Sequence, residues 1–140
     1  MPKSREKLLE VVVREVGMYP MDAYLFVEQG LRFAVQRVHG PERRGGGSRH
    51  ITGQQLCEGL REFALQRWGM LAGMVLRRWN IASTLDFGRI VYAMIDAGLM
   101  QKTEEDSLDD FRNVFDFRTG FDSDYKISVT ERPNPQGNTR

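Results

Sequence analysis

The sequence is poor in the residues that most often announce chemistry. It holds one cysteine, Cys57, and two histidines, His39 and His50, in 140 residues. A single thiol closes no internal disulfide, so a disulfide framework is excluded and a reducing cytoplasm is the expected compartment. No run approaches the roughly 18 apolar residues of a membrane span. The opening stretch, MPKSREKLLEVVVREVG, threads charges through its apolar positions, as neither a signal peptide nor a span does. An excess of one charge is also missing: 20 basic side chains face 19 acidic ones. That balance argues against an obligate polyanion binder. What remains is ordinary. With 41% apolar and 28% charged residues, the chain suits one folded domain that can bury a core without metal or disulfide.

Apolar spacing gives the architecture. Leu9, Val12, Val13 and Val16 recur at helical intervals, so residues 4–17 read as a helix with Ser4 as N-cap and Gly17 as stop. Pro20 or Met21 begins a second helix, which runs to Val38 with Tyr24, Val27, Leu31, Ala34 and Val38 on one stripe. Thr52 is the expected cap of a third, over Gly53–Trp68, and Gly69 interrupts it before a short helix to about Trp79. Ser83 or Thr84 starts a fifth, marked by Phe87, Ile90, Val91, Met94 and Ile95, with Gly98 at its C-cap. Thr103 and Asp106 approximate a capping box for a sixth, with Leu108, Phe111, Val114 and Phe115 facing inward.

The expected fold is therefore all-α: a single compact bundle-like domain of about six helices over residues 4–117. Residues 40–52 read as an internal flexible loop, residues 118–131 as a possible short strand around Tyr125, Ile127 and Val129, and residues 132–140 as a disordered tail. Two stretches echo each other, Gly30-Leu31-Arg32-Phe33-Ala34 and Gly59-Leu60-Arg61-Glu62-Phe63-Ala64. The inserted Glu62 rotates the second by about 100° on a helix, so duplicated copies would not present identical faces.

Few motifs carry chemistry. Arg43, Arg44, Arg49 and His50 lie in or beside a triple glycine, a pattern open to two readings: an anion cradle at the start of the third helix, or a solvated linker. It is not a nucleotide-binding P-loop, because it lacks the closing Gly-Lys-Ser/Thr and no strand precedes it. His39, His50 and Cys57 fit no standard zinc spacing, no metal or cofactor is expected, and no nucleophile elbow occurs. Trp68 and Trp79 each follow arginine, in Arg67-Trp68 and Arg77-Arg78-Trp79. Such pairs serve either as stacking or anchoring sites, or as core aromatics with surface arginines beside them. The carboxylates at 104–110 sit where a helix start favours negative charge. The helix from residue 84 carries Asp86, Arg89 and Asp96 and no lysine, unlike a groove-reading helix.

Several longer strings bear a likeness. They are Arg37-Val38-His39-Gly40, RHITGQQLCEGLR at 49–61, Arg67-Trp68-Gly69, Trp79-Asn80-Ile81, Thr84-Leu85-Asp86-Phe87-Gly88, GLMQKTEEDSLDDF at 98–111 and Val114-Phe115-Asp116-Phe117. Across about residues 9–117 the chain resembles a small uncharacterised bacterial family of planctomycetes and verrucomicrobia. That family has no assigned activity, so the resemblance implies a single cytoplasmic bacterial domain and transfers no functional residue.

The reading from sequence is a non-enzymatic cytoplasmic protein-interaction domain, binding a protein partner or a second copy and no membrane. Its expected contact surface comprises Arg43, Arg44, Arg49, His50, Arg67, Trp68, Arg77, Arg78 and Trp79. The alternatives are a nucleic-acid or ribosome-associated module using the basic 43–50 loop, and a small enzyme. A nucleic-acid binder gathers its arginines on one face; an interaction module exposes a contiguous apolar patch.

Overall fold

The structure, a computed structural model, describes residues 4–41 and 49–121. Arg43, Arg44, the expected strand around Tyr125–Val129 and the expected tail lie outside these residues. The described residues are all-α, with no strand among them: α1 (Arg5–Val16), α2 (Met21–His39), α3 (Gly53–Trp68), α4 (Ala72–Arg78), α5 (Thr84–Asp96) and α6 (Phe117–Phe121).

The helix ends follow local chemistry. The Ser4 hydroxyl accepts from the Lys7 N–H, and Gly17 stops α1 in the left-handed region. Thr52 and Gln55 form a reciprocal capping box at α3. Ser83 and Asp86 do the same at α5. Gly98 ends α5 from just beyond the cap, which is Ala97: with φ of 80° it lets its own N–H reach the Ile95 carbonyl and that of Leu99 reach Met94. Asn80, with φ of 68°, closes α4 in the same way, Ile81 bonding back to Leu76.

The spine is an antiparallel hairpin of α2 and α3. Phe26 meets Trp68 near one end, and Ala34 meets Gly59 toward the other. The approach is close because the facing residues are small. A methyl group at Gly59 would overlap the Ala34 Cβ, and one at Gly30 would overlap the end of the Leu60 side chain. The two sequence echoes are thus the two sides of one helix crossing. α5 packs on this hairpin and buries Phe87, Ile90 and Met94, while α1 lies against α2 and α5.

The sixth expected helix is not formed from Thr103. The Thr103 N–H does bond to the Asp106 carboxylate, at 2.8 Å, but only a turn results. Ser107 and Asp110 then make a second box, which opens a single 3-10 turn, Leu108–Phe111. Asn113 takes a left-handed conformation (φ 50°), and helix resumes only at Phe117. The cause is competition for hydrogen bonds. Thr84 donates to the Phe111 carbonyl at 2.6 Å and accepts from the Val114 N–H at 3.2 Å, so a side chain takes backbone groups that a continuing helix would pair. Gly88 of α5 leaves room for Leu108 and Phe111 to dock. Phe115, Phe117 and Phe121 then cluster under α3 and α4, with the Arg61 guanidinium over Phe115 and its Nε bonded to the Gly120 carbonyl.

Candidate functional site

The corner between α3 and α4 exposes apolar surface. Gly69 turns the chain at positive φ, Met70 and Leu71 pass through a 3-10 turn, and α4 begins at Ala72. Ala72, Gly73 and Leu76 face inward. Ala72 and Gly73 are small and Leu76 fills the space beside them, while Met70, Leu71 and Met74 point outward. Met70, Leu71 and Met74 are 67%, 54% and 47% exposed. They fall within five successive residues, and the only charged groups near them in sequence are Arg67, Arg77 and Arg78. Apolar spacing alone places Leu71, Ala72, Met74, Val75 and Trp79 along the packing stripe of this helix; of these only Ala72 is fully buried, beside Gly73 and Leu76, while Leu71 and Met74 face outward.

Trp68 and Trp79 come together beside this corner. Their rings meet edge to face at 5.4 Å, and both pack on Phe26, at 5.4 and 5.8 Å. Each is half-buried, so the pair braces the corner and presents only part of its surface. The Arg67 guanidinium lies 5.2 Å from the Trp68 ring and 5.5 Å from Phe63, and donates to Gln29 Oε1 at 2.6 Å. Arg77 and Arg78 are exposed in the last turn of α4. Arg67, Trp68, Arg77, Arg78 and Trp79 therefore share one end of the molecule.

Arg49 and His50 belong to the other end of α3. Arg49 donates to the Gly40 carbonyl at 2.6 Å, His39 Nε2 lies 2.8 Å from the His50 carbonyl, and His50 Nε2 lies 3.1 Å from Asp106 Oδ1. These bonds tie the start of α3 to the end of α2 and to the 103–106 turn. The Asp106 carboxyl is held below its usual range: burial works to raise it, but the Thr103 N–H and His50 outweigh burial. The 16 residues of α3 span roughly 24 Å at 1.5 Å per residue. Arg49 and His50 are accordingly not gathered with Arg67, Arg77 and Arg78.

Cys57 and Asp86 sit inside the fold. Cys57 is fully buried, and burial, with Glu58 adding to it, pushes its thiol far above the range of a reactive thiolate. Asp86, in the first turn of α5, is buried with four partners. One oxygen accepts from the Ala82 and Ser83 N–H groups, at 2.8 and 3.2 Å; the other accepts from Tyr19 Oη and from Arg89, the latter at 2.9 Å. It latches the turn before α2 to the start of α5. Among the described residues no helix is long and apolar enough to cross a membrane. No protein-family model, curated protein or solved structure matches the chain.

Proposed function

We propose that the chain is a non-enzymatic protein-interaction domain whose contact surface is centred on Met70, Leu71 and Met74. One observation carries this reading: three large, flexible apolar side chains stand about half or two-thirds exposed within five residues, with Trp68 and Trp79 bracing the backbone beneath them. Methionine suits such a surface because its unbranched, polarisable side chain adapts to a partner at little packing cost. Arg67, Arg77 and Arg78 would meet an acidic rim on that partner, steering the encounter and setting its register. The nucleic-acid alternative required the basic residues on one face, and the length of α3 separates Arg49 from the other three.

Co-purification of the tagged protein from its native cells at low and high salt tests the reading. A stoichiometric protein partner that survives high salt supports an apolar contact. Nucleic acid that is released as salt rises would instead mark an electrostatic binder and overturn it.

A further inference from the structure

A second feature, at the far end of α3 from Met70, carries an inference independent of the docking surface. A cleft of about 180 Å³ lies among α2, α3 and α5. Its walls are mainly aliphatic: Leu31 and Val35 from α2, Leu56 from α3, Ile95 from α5, and Met100 beyond it. The volume is slightly larger than a cavity of about 150 Å³ that takes up benzene in a protein core.

Tyr92 of α5 lines this cleft, and its hydroxyl is buried without a hydrogen-bond partner. The ring is fixed edge-on against Phe111, at 6.4 Å and 89°. Burial, with the charges of Asp106 and Asp110 adding to it, raises the phenol above its ordinary value, so the group stays protonated. The group is thus a donor with no acceptor. Tyr24, the other buried hydroxyl without a partner among the described residues, is absent from the walls of this cleft. Asp106 and Asp110 line the cleft together with Arg49, His50 and Lys102, and of these charges it is the two carboxylates that act on the hydroxyl and disfavour an anion there. A cation would bring no acceptor at all. A neutral carbonyl or ether oxygen satisfies both conditions.

We propose that this cleft binds a compact, uncharged, mainly apolar molecule through one oxygen acceptor that takes the Tyr92 hydroxyl hydrogen. Entry passes Met100–Lys102. That stretch has no regular structure and lies between two anchors: Leu99, bonded to Met94 and to Arg5, and the Thr103–Asp106 turn, bridged to His50. Such a stretch opens more readily than the helices around it.

Acetophenone, a ring with one carbonyl, and ethylbenzene, the same shape without it, are the probes. Titration of the full chain followed by amide NMR should give saturable shifts confined to α5 around Tyr92 and Ile95 and to Met100–Lys102. One neutral hydrogen bond should make acetophenone bind roughly three- to tenfold better than ethylbenzene. Tyr92→Phe should erase that preference while still binding ethylbenzene. Ile95→Trp fills the cleft and should abolish binding of both probes; Val35→Phe, from the opposite wall, serves if the first variant fails to fold. Shifts outside the cleft, no saturable shifts, binding that persists in the filled variant, or an unchanged preference in Tyr92→Phe would each overturn the proposal.

Discussion

Gly59 of α3 sits directly against Ala34 of α2, with no room between them for a further carbon. This contact sets the distance between the two longest helices and therefore the frame on which both ends of α3 are held. Gly59→Ala should destabilise the fold by about 1–3 kcal/mol, the usual cost of overpacking a tight core. Urea unfolding should show a lower midpoint at an unchanged slope, and an unchanged midpoint would mean that the helices are not in close contact there.

Asp86 joins two turns that are 67 residues apart in the chain through the Tyr19 hydroxyl. Asp86→Ala leaves that hydroxyl and the Ala82 and Ser83 N–H groups without their acceptor, so a loss of about 2–3 kcal/mol is expected. Tyr19→Phe removes one bond and should cost about 1 kcal/mol. Thermal unfolding of both variants checks the order, which fails if Tyr19→Phe is the more damaging.

Alkaline pH acts on the same latch. Burial first, then the hydrogen bond and charge of Asp86, raise the Tyr19 phenol above its unfolded value. The unfolded chain then loses this proton near pH 10 while the folded chain keeps it, so the contribution of Tyr19 to stability is complete below about pH 10 and is lost as pH rises further. Cys57, Tyr24 and Tyr92 are raised by burial in the same direction and add to the loss, Cys57 from about pH 8.5, the ordinary thiol value. Denaturant midpoints between pH 8 and 11 should fall, and less steeply in Tyr19→Phe. Equal slopes would remove Tyr19 from this account.

Acid acts on the 103–106 turn. The Asp106 carboxyl lies below its ordinary range, so its contribution is complete above about pH 4 and is lost as pH drops through the lower folded value. The Thr103 amide, which donates to this carboxylate, should shift in NMR spectra below pH 4, and Asp106→Asn should remove that titration. A Thr103 amide that titrates identically in the variant would assign the turn to another group.

Much of this fold was legible along the chain, because its helices are bounded by residues that act locally. Ser4, Gly17, Thr52 and Ser83 cap or stop helices through bonds within four residues of themselves, and Gly98 ends α5 one place beyond its expected position. The 103–117 stretch was misread because the deciding partner, Thr84, lies about 30 residues away. The surface at α4 was hidden for a related reason. Helical spacing marks Leu71 and Met74 as readily as Ala72, and only the packing of the neighbouring helices shows that Ala72, Gly73 and Leu76 go inside. The sequence marks Trp68 and Trp79 through the arginines beside them, but their shared packing on Phe26 is a tertiary fact.

The most direct test of the interaction reading replaces Leu71 by Asp. The side chain is 54% exposed, so folding stability should stay within about 0.5 kcal/mol of the parent. Tagged Leu71→Asp and the parent would be purified in parallel from native cells at high salt, with bound proteins quantified by mass spectrometry. The account predicts a partner held by the parent and lost by the variant at equal thermal stability. A partner retained in full by the folded variant would contradict a contact centred on Met70, Leu71 and Met74.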